Sequence, residues 1–571
     1  MIFNLLSKLS VLTLLIGFFF AFVKAQVEPN ILAALDFDPK ADGFAFKNYK
    51  NVGETWKDDI AADDLIRMFG VNAVCKNKSA KNCVLDAAAR EWIEHKLKAM
   101  NIGHCEGIAV ASLRMNFGMP FKRRALPANF QIGAKLPINL RLQQTLENYI
   151  AYYWITQTFQ EIREPTQATA KLGPAGIVKM LVDSINNKKD TFLLGMFKYE
   201  KGRSFDGHAV TPFAVEDIGN QYKIHAYDNN LPGETRYIFV NKTGSQQWTY
   251  SSAFNKSSKP DYVGDKNTNT LQLTATSWRD GKCFDPSFAE DTNNAVGCGI
   301  ETTSLKQPFF TKTSFAAQDA DGEDAEFFLT GEGEMLVIDG DGKRIGYDSK
   351  TDRFYNEIDG ADAHLLIGGF GIDLPQYFVP YEETGEPYTI VFSGKNLDQE
   401  SYLDFVFSAP GFTVGFDEIR LDPNETLTAT ISHDGQEISF TASADGETPE
   451  VFYSFDPQDD ADASYLTDIE GIELTGGKRL FYDFEFENGK LFFSDDDGNE
   501  DSFDIELTRI NADGSEQVYI QNDLDIGKTD KYEMDFGDWD GEGTMCFKDD
   551  EDANGFADEE CSEQINDLEE N

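Results

Sequence analysis

The chain is short of positive charge. Its 571 residues include 50 Lys and Arg against 99 Asp and Glu, which gives a net charge of −49. A surface this acidic repels nucleic acid and anionic membranes and keeps the protein soluble. We therefore expect no nucleic-acid partner. Carboxylate oxygens suit calcium, so calcium ions are an expected partner of an acidic exported protein.

Long apolar runs are also scarce. Residues 11–23 are almost wholly apolar, but a membrane helix needs about 20 such residues, and no later run approaches that length. Lys8 precedes this run, and small residues near Ala25 offer a cleavage site before Gln26. The sequence predicts a signal peptide over residues 1–25, no membrane span, and a secreted protein, extracellular or at the cell surface.

Cysteines are few, and their number is odd. Six of the seven form three close pairs along the chain, namely Cys75 with Cys83, Cys283 with Cys298, and Cys546 with Cys561. Neighbouring cysteines of an exported protein are expected to form disulfides, although six cysteines allow other connectivities. This pairing leaves Cys105, which we predict to be the one free thiol of the mature protein.

Cys105 lies in a setting that suits a nucleophile. It stands between Gly103 and Gly107, and a run of small and apolar residues suited to a helix follows. The first turn of a helix lowers the pKa of a thiol, because unpaired N–H groups and the helix dipole favour the thiolate. The glycines allow a sharp turn and leave room for a substrate carbonyl. A buried structural cysteine is the alternative that the motif by itself leaves open.

His208 is the best candidate for the base that such a nucleophile needs. It follows Gly207 at the start of a predicted strand, and the next predicted strand ends in Asp228 and Asn229, 20 residues further on. This spacing suits two neighbouring antiparallel strands, so an acid or amide on the second could orient the imidazole. The remaining histidines are weaker candidates: His95, His104, His225, His364 and His433.

The fold predicted from periodicity changes along the chain. Helical patterns cover residues 84–101, 139–162 and 175–185, and strand patterns follow from residue 191, which indicates an α+β domain. After about residue 311, short strands alternate with hairpin turns such as Asn488-Gly489, which indicates one or two β-sandwich modules. The predicted divisions are residues 26–310 (α+β domain), 311–456 (β-sandwich), 457–545 (second β-rich module) and 546–571 (acidic calcium-loop-like tail).

The order Cys, His, Asp or Asn resembles the papain-like cysteine peptidases and the related bacteriocin-processing peptidases. The likeness covers roughly residues 44–250. It implies an α+β papain-like domain with Cys105 as nucleophile, His208 as general base and acid, and Asp228 or Asn229 as the orienting residue. It also implies an oxyanion hole formed by the Cys105 N–H and an upstream amide. No cofactor is implied for catalysis.

Two features depart from that family pattern. The glutamine expected before the cysteine is missing, and the nearest amide is Asn101, which we assign to the oxyanion hole. The tryptophan that commonly follows the cysteine is absent as well. These departures leave room for an amide or acyl substrate other than a peptide.

A competing interpretation of the same motif is a nucleophile elbow with cysteine in place of serine. It would need a strand before Gly103 and an acid before the histidine in the chain, and the sequence offers neither. We therefore predict a secreted cysteine hydrolase, most simply a peptidase acting on peptide or protein substrates. The alternative is an exported calcium-dependent adhesion or carbohydrate-binding protein whose papain-like domain is degenerate.

The acidic end contains a second chemical pattern. Oxygen ligands recur at positions 1, 3, 5 and 9 of a loop with glycine at position 6, as in the first part of an EF-hand. The predicted calcium ligands are Asp550, Asp552, Asn554, Asp558 and the carbonyl of Phe556. Position 12 is Cys561 rather than glutamate, so the loop is not a complete EF-hand. A solvated acidic tail is the alternative.

Overall fold

The computed structural model describes residues 29–282 and 324–562 with internal gaps. The gaps are residues 52, 54, 118–124, 253–258, 372–373, 383, 457–462, 487–488, 497–500, 527–530, 538, 540–544 and 550–557. The predicted signal peptide, the pair Cys283 and Cys298, and the calcium ligands from Asp550 to Phe556 lie outside the described residues. Asp558 begins a strand, and its side chain is likewise not described.

The described α-helices all lie before residue 190, and a 3-10 helix covers Thr276–Lys282. The α-helices are α1 (Ala62–Phe69), α2 (Val71–Val74), α3 (Ala87–Ala99), α4 (Cys105–Asn116), α5 (Pro127–Phe130), α6 (Gln144–Ile155), α7 (Gln160–Ala170) and α8 (Gly173–Asn187). Helix α3 begins after Asp86, whose side chain accepts a hydrogen bond from the Ala89 N–H at 2.8 Å, and such a cap satisfies an otherwise unpaired donor. None of the described helices is both long and apolar enough to cross a membrane.

The single long helix predicted over residues 139–162 is wrong. Helix α6 ends at Ile155, a 3-10 turn covers Thr156–Thr158, and α7 begins at Gln160. The side chains of residues 156–158 each donate a hydrogen bond to the carbonyl three residues earlier. These polar side chains satisfy the carbonyls at the end of α6, so the helix can stop although its apolar pattern continues.

The first sheet is antiparallel and belongs to the same part of the chain. Its strands are β1 (Ile31–Ala34), β2 (Phe192–Glu200), β3 (Arg203–Asp217), β4 (Gln221–Tyr227), β5 (Thr235–Asn241), β6 (Trp248–Tyr250), β7 (Tyr262–Gly264) and β8 (Leu271–Ala275), in the order β7-β6-β5-β4-β3-β2-β8 with β1 against β3. One face packs on α8, and the other packs on α4 and α6. Helices on both faces of β2 and β3 bury the residues at the centre of the sheet.

The described residues from 324 onward form strands. These are β9 (Asp324–Leu329), β10 (Glu334–Ile338), β11 (Arg344–Asp348), β12 (Arg353–Asn356), β13 (Asp362–Leu365), β14 (Pro375–Pro380), β15 (Tyr388–Ser393), β16 (Ser401–Ala409), β17 (Phe412–Leu421), β18 (Thr426–Ile431), β19 (Glu437–Thr441), β20 (Glu450–Phe455), β21 (Ala463–Glu470), β22 (Arg479–Glu485), β23 (Lys490–Asp495), β24 (Asp501–Asn511), β25 (Glu516–Ile526), β26 (Tyr532–Asp535), β27 (Met545–Asp549) and β28 (Asp558–Ser562). This layout confirms an α+β part followed by an all-β part.

These strands form two antiparallel sheets around one core. The orders are β12-β11-β10-β15-β18-β19-β22-β23-β26-β27-β28 and β13-β14-β9-β16-β17-β20-β21-β24-β25. One hydrophobic cluster contains residues of both sheets, from Ala325 to Met545. Strands β20 and β21, which precede and follow residues 457–462, pair with each other. Each of the two sheets therefore contains strands from both sides of the predicted division at residue 457.

The sandwich packs against the helices of the α+β part. Phe328 and Phe452 from its strands belong to the same hydrophobic cluster as α3 and α4. At this contact the buried Glu326 carboxylate accepts hydrogen bonds from Trp92 Nε1 at 3.1 Å, from Lys96 and from Gln376. The two parts are therefore joined by apolar packing around a buried ion pair, which fixes the sandwich loops relative to the first sheet.

Candidate functional site

Cys105 is the first residue of α4, as the sequence predicts. Every residue of this helix from Cys105 to Met115 is buried, and a Cβ on Gly107 would lie 2.2 Å from the Ile150 carbonyl oxygen. Gly107 therefore permits the close approach of α4 and α6. Glu106, the next residue after the cysteine, forms a buried ion pair with Arg279 that fixes the first turn of the helix.

The structure describes the side chains of three cysteines, Cys75, Cys83 and Cys105. Cys75 and Cys83 form the predicted disulfide, and Cys105 is the free cysteine among the described side chains. Cys546 is opposite Cys561 in the β27–β28 register, which is the backbone relation that a disulfide there requires. Their side chains lie outside the described part of the structure.

His208 and Asp228 lie together in the centre of the first sheet. His208 Nε2 lies 2.9 Å from Asp228 Oδ1. The same carboxylate accepts hydrogen bonds from the Asn230 N–H at 2.8 Å and from the Tyr250 hydroxyl. His208 is 1% exposed and Asp228 is fully buried. The carboxylate thus fixes the imidazole and directs its other nitrogen, Nδ1, away from Asp228.

The second imidazole nitrogen faces the cysteine. His208 Nδ1 and Cys105 Sγ lie 2.8 Å and 3.0 Å from one point, the position of a Cβ on Gly369, so they are less than about 6 Å apart. Nδ1 is buried and lacks a hydrogen-bond partner. The Ala209 N–H donates to Sγ at 3.4 Å. A base oriented by a carboxylate and facing a sulfur is the arrangement that nucleophilic catalysis requires.

The two candidate amides, Asn229 and Asn101, have different positions. Asn229 donates through Nδ2 to the carbonyl of Cys105 at 2.9 Å, so it supports the backbone of the nucleophile and not the imidazole. Asn101 is exposed on a 3-10 turn, so its assignment to the oxyanion hole is wrong. The turn at Gly103 separates its side chain from the buried sulfur.

Asn48 occupies the position that the sequence assigned to Asn101. It is 6% exposed, and its Oδ1 accepts a hydrogen bond from the His104 N–H at 2.8 Å. Its backbone N–H donates to the Asn229 carbonyl at 2.9 Å. These contacts direct Asn48 Nδ2 into the site. No spacing signal links Asn48 to a cysteine 57 residues later, and only the fold brings the two together.

Asn48 and Cys105 donate to the same carbonyl oxygen. Asn48 Nδ2 lies 2.8 Å from the Gly368 carbonyl oxygen, and the Cys105 N–H lies 3.4 Å from it. A Cβ on Gly103 would lie 2.3 Å from this oxygen, so only glycine leaves room for it. Two N–H donors on one carbonyl oxygen beside a cysteine sulfur have the arrangement that an oxyanion hole would need.

Burial and charge act in opposite directions on the two reactive groups. Burial raises the pKa of the Cys105 thiol, and the contacts with His208 and the Ala209 N–H oppose that rise. Burial by itself would lower the pKa of His208, but the Asp228 carboxylate outweighs it, so this pKa lies well above its usual 6.5. The Asp228 carboxylate therefore makes His208 a stronger base, able to take the proton that burial favours on the thiol.

The other histidines lie elsewhere. His104 Nδ1 contacts the Tyr49 carbonyl at 2.9 Å, and burial lowers its pKa to about 4. His225 pairs with Glu216 at 3.0 Å. His95 packs on Phe452. None of these contacts involves the sulfur of Cys105, in agreement with the choice of His208.

Comparison of the chain with known protein families, with curated proteins and with solved structures finds no match.

Proposed function

We propose that this protein is a cysteine hydrolase that cleaves peptide or other amide bonds through a Cys105 thiolate. One observation carries the proposal. The sulfur of Cys105, the free nitrogen of His208 and two N–H donors surround a single peptide group, that of Gly368. Groups that converge on one carbonyl in this way supply a nucleophile, a proton carrier and oxyanion stabilisation together.

Each group has a distinct role in the proposed reaction. The thiolate of Cys105 attacks the substrate carbonyl carbon, and His208 carries the proton to the leaving amine and later accepts one from water. Asp228 orients the imidazole and stabilises its charge. The Cys105 N–H and Asn48 Nδ2 hold the oxygen as negative charge develops on it. The resemblance to papain-like peptidases favours a peptide substrate, and secretion remains an inference from residues 1–25.

The test needs an accessible sulfur, because Cys105 is fully buried. A Cβ on Gly368 would lie 2.4 Å from the Ile102 carbonyl oxygen. We therefore expect the valine in Gly368→Val to displace the segment around residue 368 from the sulfur of Cys105. We expect this variant to be alkylated by iodoacetamide at Cys105 and to cleave members of a mixed peptide library, read by mass spectrometry. Adding Cys105→Ala should abolish cleavage, and adding His208→Ala should reduce it by about 10³-fold or more.

His225→Ala is the matched control, since His225 lies on the same sheet and pairs with Glu216 away from the sulfur. It should leave cleavage unchanged. A Gly368→Val protein whose Cys105 reacts with iodoacetamide but which cleaves no peptide in a Cys105-dependent manner would contradict the proposed function. If Gly368→Val fails to fold, Ile367→Asp places a charge in the same buried segment and serves instead.

A further inference from the structure

Residues 366–371 run from the sandwich into the candidate active site. They follow β13, precede β14, and belong to the all-β part by sequence. Leu366 through Gly369 are nevertheless buried against the α+β part, and Leu366 and Ile367 are members of its hydrophobic cluster. Phe370 is half-buried, and Gly371 is exposed. The sandwich thus sends one segment across Cys105.

The backbone of this segment is held on both sides of the Gly368 carbonyl. On the amino side, the Ile367 N–H donates to Gln157 Oε1 at 2.8 Å, and the Ile367 carbonyl accepts from Trp154 Nε1 at 3.1 Å. On the carboxyl side, the Gly369 N–H donates to the Gly207 carbonyl at 3.1 Å. Side-chain burial together with backbone hydrogen bonds on both sides of one bond is a common way for a protein to bind a peptide.

The fit around the central pair requires glycine. A Cβ on Gly368 would lie 2.4 Å from the Ile102 carbonyl oxygen, and one on Gly369 would lie 2.8 Å from His208 Nδ1. Gly369 also has a φ of +86°, a conformation that other residues rarely adopt. The two glycines let the backbone approach the sulfur and the imidazole more closely than any other residue would.

From this placement we propose that the segment is bound as a substrate and that Cys105 hydrolyses the Gly368–Gly369 peptide bond of its own chain. This inference rests on the proposed function, and it identifies the protein's own residues 366–371 as a substrate of the hydrolase. The carbonyl oxygen of the bond is in the oxyanion hole, with the sulfur on one side. The imidazole lies beside Gly369, whose nitrogen is the leaving group.

The reaction balances as a hydrolysis with water as the co-reactant. Cys105 transfers its proton to Nδ1 of His208, and the resulting thiolate forms a C–S bond to the Gly368 carbonyl carbon. The C–N bond to Gly369 then breaks, and the imidazolium of His208 gives the proton to the leaving nitrogen. Water then attacks the thioester, His208 accepts the proton of that water, and the C–S bond breaks. The products are a chain ending in the Gly368 carboxylate and a chain beginning with the Gly369 amine.

The surroundings allow the second product to leave the site. A cavity of about 570 Å³ at the contact of the two parts is lined by Gly371, Arg203 and Asn396 among others. The carboxyl side of the segment thus borders open space, whereas Leu366 and Ile367 stay buried. After cleavage, the new amino end can move into this cavity and expose the thioester to water.

The experiment uses the full chain and requires no added substrate. The purified protein is incubated near neutral pH, and samples are unfolded, reduced and weighed by mass spectrometry. We expect two fragments, one ending at Gly368 and one beginning at Gly369, which accumulate at a rate independent of protein concentration because the reaction is intramolecular. Cys105→Ala should stay intact, and His225→Ala, whose native side chain pairs with Glu216 away from the sulfur, should be cleaved like the wild type.

The remaining outcomes separate this proposal from the proposed function. A wild-type chain that stays intact, while Gly368→Val cleaves library peptides in a Cys105-dependent manner, overturns self-cleavage and leaves the hydrolase. Cleavage of the Cys105→Ala chain at the same bond overturns self-cleavage, because another agent then breaks the bond. An intact wild-type chain together with an inactive Gly368→Val protein overturns both.

Discussion

Two buried histidines, one in each part of the molecule, differ in what their ring nitrogens contact. In the sandwich, the nitrogens of His433 lie 3.0 Å from the backbone carbonyls of Glu382 and Glu386, and the ring stacks on Tyr388. In the α+β part, His208 has one nitrogen on Asp228 and the other without a partner beside Cys105. His433 thus has a backbone contact for each ring nitrogen, whereas His208 directs Nδ1 towards the sulfur.

The same contrast holds for the cores of the two parts. The sandwich core is built from aromatic pairs, such as Tyr453 and Phe484 at 4.1 Å between ring centroids. The core of the α+β part instead encloses Cys105, His208, Asp228 and Asn229. Enclosing polar groups costs stability unless they are paired, and here they converge on one peptide bond. The α+β part thus contains the candidate reactive groups, and the sandwich supplies the segment that lies across them.

The largest expected effect comes from removing the carboxylate that distinguishes His208. Asp228→Asn should lower the rate of Cys105-dependent cleavage by about 10⁴-fold, since the imidazole loses its orienting charge. The carboxylate raises the pKa of His208, and the protonated form, which serves as the acid, disappears as pH rises through that pKa. The alkaline limb of the pH–rate profile should therefore move to lower pH in the variant. Asp217→Asn, at the end of β3 where Asp217 pairs with Lys242, should leave the profile unchanged.

A stability effect should follow from breaking the ion pair that joins the two parts. Glu326→Ala leaves Lys96 buried without its partner, because both side chains are 2% exposed, and such a loss typically costs about 3–5 kcal/mol. Urea unfolding should show this decrease. The double variant Glu326→Leu, Lys96→Met should recover most of it. A single variant as stable as the wild type would mean that the pair does not hold the sandwich against the helices.

Asn48 and Asn101 form a matched pair for the oxyanion hole. Asn48→Ala should lower the rate of cleavage by about 10²–10³-fold, as expected for the loss of one oxyanion donor. Asn101→Ala should leave the rate unchanged, since that side chain is exposed. The effect should be on kcat rather than on KM, measured on Gly368→Val with a library peptide. Equal rates for both variants would show that Asn48 is not an oxyanion donor.

For His433 we expect a loss of stability without a change in the rate of cleavage. His433→Ala should destabilise the folded chain by about 1–3 kcal/mol, because the ring loses its contacts with two backbone carbonyls and its stacking on Tyr388. It should leave the rate of cleavage as in the wild type, since His433 lies in the sandwich. Thermal unfolding and the cleavage assay measure the two quantities on the same protein. A large fall in rate without loss of stability would remove the distinction between the two histidines.

The smallest effect concerns the acidic end, where the sequence predicts a calcium loop. Asp550→Asn together with Asp552→Asn should reduce the number of calcium ions bound by the full chain, measured by isothermal titration. The rise in Tm on adding calcium should shrink, because bound calcium stabilises the folded form by mass action. Asp513→Asn, in a distant turn, is the control. Equal calcium uptake by all three proteins would favour the solvated tail over a calcium site.

Much of the site could be predicted from the sequence because its signals are local or countable. The odd number of cysteines singled out Cys105, and Gly207-His208 at a strand start, 20 residues before Asp228, predicted a pair on neighbouring strands. Strands β3 and β4 pair with Thr211 opposite Tyr227. His208 precedes Thr211 and Asp228 follows Tyr227, so both lie towards the same end of this strand pair. Period-2 alternation similarly predicted the β-rich second half.

What the sequence by itself determined, then, is the choice of Cys105, His208 and Asp228 as candidates, which the structure brings together, and the two kinds of architecture. Each depends on neighbouring residues or on residue counts. Only the tertiary structure decided which amide completes the site and what lies across the sulfur. Asn48 and Gly368 reach Cys105 from positions 57 residues before it and 263 residues after it. Contacts between such distant residues depend on how sheets and helices pack, and no local pattern encodes them.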